Sequence, residues 1–255
     1  MKTLTLAKIL YKNKSIKERF GIHRGLTDNV YKQNSLESIK AAIDLNPPFV
    51  EFDVMLVDNE VKTGHPPQQP LDEFERVLYL FKRKKTYPKI DIKLTKNKHC
   101  FTLIDKVIGV INQTSIKFIL VNIGGYGTRM QFMKAEKYFD KKVRDNHRIR
   151  LNIDLARYRN PEEDIDKGIR KHVERLKNII YSISPEIHEE NFKIIAEFAE
   201  KHRIEIVCFW LRGWPDVSNP RVAGEIIRNA LALEKNYPIK IYFDINPWHV
   251  DGLPL

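Results

Sequence analysis

The chain has 255 residues, of which 44 are Lys or Arg and 33 are Asp or Glu, giving a formal charge of +11. Hydrophobic residues make up 42% of the sequence, which is typical of a globular protein and excludes a wholly disordered chain. Two cysteines, Cys100 and Cys208, are too few for a disulfide scaffold or a cysteine-rich zinc module, and their apolar neighbours predict buried free thiols.

The positive charge indicates an anionic partner, with nucleic acid, lipid headgroups and phosphorylated small molecules as the candidate classes; a basic solvated surface is the alternative. No segment approaches the roughly 18 apolar residues that span a bilayer. Lys2 and Lys8 interrupt the apolar N-terminus, which lacks a small-residue cleavage site, so we expect no secretory signal. The sequence therefore predicts a soluble, cytoplasmic protein without a transmembrane segment.

Short apolar, β-branched runs alternate with helix-like segments along the chain. The predicted strands are residues 19–24, 49–55, 89–94, 117–123, 150–155, 178–183, 205–210 and 240–245. Capping residues or Pro followed by acids predict helix starts at 34–37, 70–73 and 160–163, and apolar residues at helical spacing predict helices over 191–201 and 220–234.

Eight strands separated by helices in about 250 residues are typical of a (β/α)8 TIM barrel. A doubly wound open sheet is the alternative, but residues 21–25 do not form the glycine-rich turn that it normally carries after its first strand. Only ten residues follow the last predicted strand, so we expect an incomplete eighth helix, and the first 18 residues are candidates to cover the barrel bottom or fill that gap. No linker, repeat or composition break divides the chain, so we predict a single domain over residues 1–255.

Acidic residues lie on the second and third predicted strands, at the strand ends where a TIM barrel carries its active site. Side chains alternate along a strand, so Glu51 and Asp53 point the same way, into the barrel, and Asp91 converges with them from the next strand. This oxygen-rich set suits Mg²⁺ or Ca²⁺. The alternative is an internal salt-bridge network with Arg24 and Lys93, and the residues alone leave both open.

A hairpin is predicted after the second strand. Asp58 and Asn59 form a turn pair, and the residues that follow would return His65 to the barrel mouth. A single loop histidine is usually a solvated surface residue, but Pro66 and Pro67 follow this one and stiffen its placement. We therefore keep His65 as a candidate site residue.

Two further segments have simpler interpretations. Residues 124–127, Gly-Gly-Tyr-Gly, follow the fourth predicted strand and lack the Gly-Lys-Ser/Thr of a Walker motif, so we predict a strand-to-helix loop. Residues 82–85, Lys-Arg-Lys-Lys, end an amphipathic segment, where cations suit the C-terminus of a helix.

The order of the candidate residues resembles that of the glycerophosphodiester phosphodiesterase family. His23, Arg24 and Gly25 match its His-Arg-Gly motif, residues 33–35 loosely match its next helix start, and residues 51–54 match its acid-x-Asp-Val run. Further along the chain, the matching positions are His65 for the second histidine, Asp91 and Lys93 for Glu-x-Lys, Trp210 for a tryptophan on strand seven, and Asp244 with Pro247 near the last strand.

The resemblance implies a TIM-barrel enzyme and a role for each matching residue. It implies His23 and His65 as catalytic residues, Arg24, Lys93 and Trp210 as substrate-binding residues, and Glu51, Asp53 and Asp91 as ligands of Mg²⁺ or Ca²⁺. Cations lower the barrier for a phosphodiester, whose transition state gathers negative charge, and two histidines suit the required proton transfers.

Three departures from the family pattern distinguish this chain. Asp91 replaces the usual Glu, which shortens the reach of the third ligand. Pro66 replaces the Asp that would orient the second histidine, so we expect the pKa of His65 to lie nearer its unperturbed value of about 6.5. The family's insertion is reduced to residues 66–70, which suggests an open site or one that accepts a bulky substrate.

The predicted function is metal-dependent hydrolysis of a phosphodiester, with a glycerophosphodiester cleaved to glycerol 3-phosphate and an alcohol. The substrate is a small-molecule or lysolipid phosphodiester. The alternatives are a degenerate, non-catalytic barrel that binds an anionic ligand and a phosphodiesterase acting on lipid headgroups. No RNA-binding motif with interleaved aromatic residues is present, so nucleic acid is not an expected partner. The sequence does not predict an oligomeric state.

Overall fold

The computed structural model describes residues 12, 14–27, 32–67, 70–94, 100–154, 182–184, 191–210 and 220–245. Its strands are β1 (Phe20–His23), β2 (Phe49–Val57), β3 (Glu60–Thr63), β4 (Tyr87–Leu94), β5 (Ile119–Gly125), β6 (Ile149–Asp154), β7 (Ser182–Ser184), β8 (Ile206–Trp210) and β9 (Lys240–Ile245). Its helices are α1 (Lys14–Arg19), α2 (Leu36–Ile43), α3 (Phe74–Tyr79), α4 (Cys100–Asn112), α5 (Arg129–Val143), α6 (Phe192–Lys201) and α7 (Pro220–Ala232), and a 3-10 helix follows at Leu233–Lys235.

The strands form one curled sheet in which every strand except β3 runs parallel to its neighbours. The order is β1-β9-β8-β7-β6-β5-β4-β2-β3. Because β1 also pairs with β2, each of the eight parallel strands has a parallel partner on both sides. No reversal of strand order occurs, which argues against the doubly wound alternative. The fold is α/β and TIM-like; the helix start predicted at 160–163 and the incomplete eighth helix lie outside the described residues.

The sequence signals explain where several elements begin. Ser35 is the N-cap of α2, and its Oγ accepts a hydrogen bond from the backbone N–H of Ser38 at 3.1 Å. α6 begins within one residue of its predicted start and buries the apolar face that its spacing predicts. β7 begins at residue 182, within the predicted strand at 178–183, of which residues 178–181 lie outside the described part of the chain.

The predicted hairpin is formed by β2 and β3. Asp58 and Asn59 have φ values of 48° and 63°, the left-handed conformation that a tight hairpin turn requires at both central residues. β2 extends to Val57, two residues beyond its predicted end, because residues 54–57 pair with β3. The hairpin therefore turns the chain back toward the carboxyl ends of the parallel strands.

The main hydrophobic core lies between the strands and the helices. Val50, Phe52 and Val54 alternate along β2 and are completely buried in it. Phe52 stacks against Phe81 with ring centroids 5.8 Å apart. These residues have the outward orientation that the alternation along β2 predicts.

The other face of β2 begins with a second apolar layer. Phe49 packs with Cys208 and Tyr242 in a small cluster of its own, separate from the main core. Cys208 is buried and forms no disulfide among the described residues, as predicted. Cys100 is only partly buried, because it is the first residue of α4, so that expectation was wrong. The charged residues of β2 follow Phe49 along this face.

No helix among the described residues is long and apolar enough to cross a membrane.

The packing of β1 against Phe49 can be tested at a glycine. A Cβ on Gly21 would lie 2.1 Å from Cε2 of Phe49, whereas a Cβ on Gly109 in α4 has no neighbour within 4 Å. We expect Gly21→Ala to lower the free energy of unfolding by roughly 1–3 kcal/mol through overpacking. The matched Gly109→Ala should raise it by roughly 0.5–1 kcal/mol, because Ala is the better helix former. Urea denaturation measures both, and equal effects would contradict this packing.

Candidate active site

Charged side chains fill the interior of the sheet beyond its apolar layer. Glu51 lies opposite His23 on β1 and opposite Lys89 on β4, and Asp53 lies opposite Asp91. We call the following residues the charged cluster: His23, Arg24, Glu51, Asp53, Lys89, Asp91, Lys93 and Asp244. All of them except Arg24 are buried. Strand register thus brings together residues that are far apart in the sequence.

Three carboxylates of the charged cluster form an acidic triad. Glu51, Asp53 and Asp91 each place an oxygen within 4.8 Å of the others. The shorter Asp91 still reaches the other two because the strand register places it directly opposite Asp53. Carboxylate oxygens are the ligands that Mg²⁺ and Ca²⁺ prefer, so this donor set fits either ion.

Two cations lie against the same carboxylates. Lys93 Nζ is 2.7 Å from Asp53 Oδ1 and 2.5 Å from Asp91 Oδ2, and Arg24 Nε is 2.8 Å from Asp53 Oδ2. Burial alone would raise the pKa of Asp53, but Lys93 and Arg24 outweigh it, and the pKa lies below its usual value. The internal salt-bridge network that the sequence leaves open is therefore present beside the triad.

Glu51 is the least compensated member of the triad. Its Oε2 is 3.0 Å from His23 Nδ1 and accepts a hydrogen bond from the backbone N–H of Arg24 at 3.2 Å. Burial, together with the charges of Asp53 and Asp244, raises the pKa of Glu51 to about 7, against the opposing effect of His23. A buried carboxyl in this state is one that an added cation would stabilise.

Lys89 and Asp244 form a buried ion pair next to His23. Lys89 Nζ is 2.5 Å from Asp244 Oδ2, and the same oxygen is 3.6 Å from His23 Nδ1. Burial would raise the pKa of Asp244, but Lys89 and then His23 lower it to about 2. Sequence reasoning did not select Lys89; the signal was its two-residue spacing from Asp91, which places both on one face of β4.

Asn34 is hydrogen-bonded to Asp53 of the acidic triad and was not selected individually from the sequence. Its side-chain amide donates to Asp53 Oδ2 at 3.0 Å and its Oδ1 accepts from the backbone N–H of Asp53 at 2.9 Å. Asn34 is completely buried and has a φ of 65°, a conformation that Asn tolerates better than most residues. The segment between β1 and α2 therefore fixes the orientation of Asp53.

His65 lies where the hairpin returns to the strand ends. The backbone N–H of Gly64 donates to the carbonyl of Asp53 at 3.0 Å, which ties the histidine's neighbour to β2. The His65 ring meets the Tyr126 ring edge-on, with centroids 6.5 Å apart, and the Tyr126 hydroxyl donates to the carbonyl of Pro66 at 3.0 Å. His65 is partly buried here, as expected for a residue at the mouth of the barrel.

The pKa of His65 does not lie near its unperturbed value, so that expectation was wrong. Partial burial lowers it, Asp53 raises it, and Lys93 and Arg24 lower it further. The sequence argument considered only the missing Asp and omitted the burial and the cations. The backbone hydrogen bond from Gly64 to Asp53 places the histidine's neighbour against the charged cluster.

Of Trp210 and Pro247, the structure describes only the backbone of Trp210. The backbone of Trp210 ends β8 in register with Asp244, on the strand that joins the charged cluster through β9. The Trp210 side chain and Pro247 lie outside the described part of the chain. The other predicted site residues lie in the charged cluster or, in the case of His65, beside it.

No protein-family model matches the chain, and no curated protein matches its sequence. Five solved chains match it, and two of these match it across nearly their whole length. One is a phosphodiesterase from Oleispira antarctica in complex with the product sn-glycerol-3-phosphate, with a TM-score of 0.60, 12% identity and coverage of 93% of this chain and 97% of that one.

The other is a candidate glycerophosphoryl diester phosphodiesterase from Silicibacter pomeroyi, with a TM-score of 0.62, 13% identity and coverage of 98% of this chain and 99% of that one. The chain shares the fold of glycerophosphoryl diester phosphodiesterases. At this level of identity the likeness shows the fold alone. The resemblance stated from the sequence is confirmed to that extent.

The ion pair between Lys89 and Asp244 predicts a pH-dependent contribution to stability. Because the pKa of Asp244 is lowered to about 2 by folding, its contribution is complete above the unfolded pKa of about 3.9 and is lost as the pH falls toward the folded value. We expect Asp244→Asn to lower the free energy of unfolding by roughly 3–5 kcal/mol at pH 6, since it leaves the lysine unpaired.

That deficit should shrink by roughly 2 kcal/mol as the pH falls from 5 to 2.5. The control is Asp105→Asn, which breaks a half-exposed pair with Lys142 and should cost far less than loss of the buried pair, because a surface pair contributes little. Chemical denaturation across this pH range measures both variants. A deficit for Asp244→Asn that does not depend on pH would contradict the assignment.

Proposed function

We propose that the protein is a metal-dependent phosphodiesterase that cleaves a glycerophosphodiester to glycerol 3-phosphate and an alcohol. The observation that carries the proposal is the buried acidic triad of Glu51, Asp53 and Asp91 in contact with His23 through Glu51. The triad lies at strand ends, where TIM-like folds carry their active sites, and this position supports the proposal. A second support is the fold that the chain shares with a phosphodiesterase whose product is glycerol 3-phosphate.

The triad is proposed to hold Mg²⁺ or Ca²⁺. Its excess of negative charge supports this, because the four carboxylates of the charged cluster face three permanent cations: Arg24, Lys89 and Lys93. The bound ion would supply positive charge where the phosphoryl oxygens gain negative charge. The salt-bridge network then has a role of its own, since it keeps Asp53 ionised for the ion.

Arg24 and Lys93 are proposed to bind the phosphodiester. Arg24 is the more exposed of the two and follows directly after β1, so its guanidinium is the group that can pair with a phosphate oxygen. Lys93 is buried between Asp53 and Asp91 and would contribute charge at a greater distance. Trp210 is proposed to contact the alcohol portion of the substrate.

His23 and His65 are proposed to carry the two proton transfers. The Nδ1 of His23 faces Glu51 and Asp244, and these two carboxylates orient the ring for proton transfer. His65 approaches from the hairpin, and its lowered pKa keeps the ring neutral near pH 7, the state that accepts a proton. One histidine would activate the nucleophile and the other would protonate the leaving alkoxide.

The short connection at residues 66–70 supports an open site, which would admit a lysolipid as well as a small soluble diester. We further propose that residues 1–255 form one domain and that the protein is cytoplasmic. Cleavage of a lipid headgroup is the same chemistry on a larger substrate.

Neutralising single members of the triad should separate a metal site from a structural network. We expect Glu51→Gln and Asp53→Asn each to lower kcat/KM on glycerophosphocholine at least about 10²-fold and to abolish most calorimetric binding of Mg²⁺ or Ca²⁺. The control Asp140→Asn removes a buried carboxylate of α5 and should change neither. Full activity of both triad variants in excess chelator would contradict the metal proposal.

The two histidines are expected to differ in their importance. His65→Ala should lower kcat/KM on the order of 10²-fold and His23→Ala by more, because His65 lacks the carboxylate that would stabilise its charged form. The measurement needs a diester with a poor leaving group, since a good one hides the need for an acid. No loss for His65→Ala would show that this histidine has no catalytic role.

One observation favours the non-catalytic alternative, in which a basic surface binds an anionic ligand. A cavity of about 480 Å³ lies near the amino ends of the strands and is lined by Lys14, Lys17, Arg19, Lys85 and Lys240, with Glu18 as its one acid among the described residues. Arg19 is already paired with Glu234 at 2.5 Å. Binding of inorganic pyrophosphate by a wild-type protein that cleaves no diester would support this alternative.

A further inference from the structure

Tyr126, in the loop between β5 and α5, contacts both His65 and Pro66. The Tyr126 hydroxyl donates to the carbonyl of Pro66 at 3.0 Å, and the two rings of Tyr126 and His65 lie edge to face at 74°. Pro66 directly follows His65 in the chain, so the hydroxyl holds the backbone next to the histidine. Tyr126 therefore contacts the histidine through its ring and the adjoining peptide through its hydroxyl.

The backbone of this loop is held firmly. Gly125 has a φ of 103°, and a Cβ there would lie 2.3 Å from the carbonyl oxygen of Leu94, so the loop runs directly against the end of β4. The backbone N–H of Tyr126 donates to that same oxygen at 2.8 Å. Beyond it, Thr128 and Gln131 form the capping box of α5. Tyr126 is thus fixed from both sides.

Core packing does not account for Tyr126, because 47% of the residue is exposed. Among the described residues, its side chain makes its ring contact with His65 and its hydrogen bond with Pro66. Pro66 has neither a carboxylate nor a backbone N–H with which to hold the neighbouring ring. An external group must supply that orientation if His65 acts in the reaction.

We propose that Tyr126 is the positioning residue for His65, in place of the carboxylate that the His-Pro sequence lacks. This inference rests on the function proposed above. The hydroxyl anchors the Pro66 carbonyl and so fixes the backbone beside His65, and the aromatic ring limits rotation of the imidazole. Tyr126 acts through His65 and does not take part in bond making.

A double-mutant cycle tests this role. We expect Tyr126→Ala to lower kcat on glycerophosphocholine about tenfold and to leave KM within about twofold, as removal of a group that orients a functional side chain does. Tyr126→Phe, which loses only the hydroxyl, should lower kcat by a smaller factor. In a His65→Ala background neither change should have a further effect, because its target is gone.

The matched control is Tyr138→Phe, which also removes a hydrogen-bonded hydroxyl, since Tyr138 donates to Asp105 Oδ2 at 2.8 Å between α5 and α4. It should leave kcat and KM unchanged. Unaltered kcat in the Tyr126 variants would overturn the proposal. A Tyr126→Ala loss that persists in the His65→Ala background would also overturn it, because the tyrosine would then act on the substrate directly.

A measurement without substrate separates this inference from the proposed function. Three-bond couplings across the Cα–Cβ bond of His65, measured by nuclear magnetic resonance, should show one side-chain rotamer in the wild type and averaging between rotamers in Tyr126→Ala. If the wild type cleaves no phosphodiester, the proposed function fails. The positioning contact itself is then decided by the rotamers, and identical couplings in the two proteins would contradict it.

Discussion

Burying four carboxylates and two lysines inside a sheet is costly unless each charge is compensated, and this requirement governs the interior of the protein. Lys89 compensates Asp244, and Lys93 joins Asp53 to Asp91. Compensation is incomplete at Glu51, whose pKa is raised to about 7. The proposed ion site lies at this point, so the same imbalance that costs stability is the one that a bound cation would relieve.

The parts of the fold that depend on local spacing could be predicted from the sequence. Alternation along β2 placed Glu51 on the interior face, and Asp58 with its neighbour gave the hairpin. Lys89 was missed because its partner is 155 residues away, and only the register of β1, β2, β4 and β9 brings the pair together. Tyr126 was missed because the glycines around it predict a loop but do not show which other segment that loop contacts.

The pKa of His65 illustrates the same limit. The chain next to it lacks a carboxylate, and from that alone an ordinary pKa follows; the structure adds burial and the nearby charges of Lys93 and Arg24, which lower it. The opposite end of the sheet differs in character, since its cavity is lined by four lysines and an arginine with a single carboxylate among the described residues. Carboxylates and cations thus lie together at the carboxyl ends of the strands, whereas basic residues outnumber acidic ones in the cavity near the amino ends.

The central claim is that the acidic triad binds a divalent cation and is more than a salt-bridge network. The most direct test is a crystal structure of the protein grown with Mn²⁺, with data collected at an energy that gives anomalous signal from manganese. The account predicts one anomalous peak within about 2.0–2.6 Å of an oxygen from each of Glu51, Asp53 and Asp91. Absence of the peak at saturating Mn²⁺, with Lys93 still bridging its two carboxylates, would contradict it.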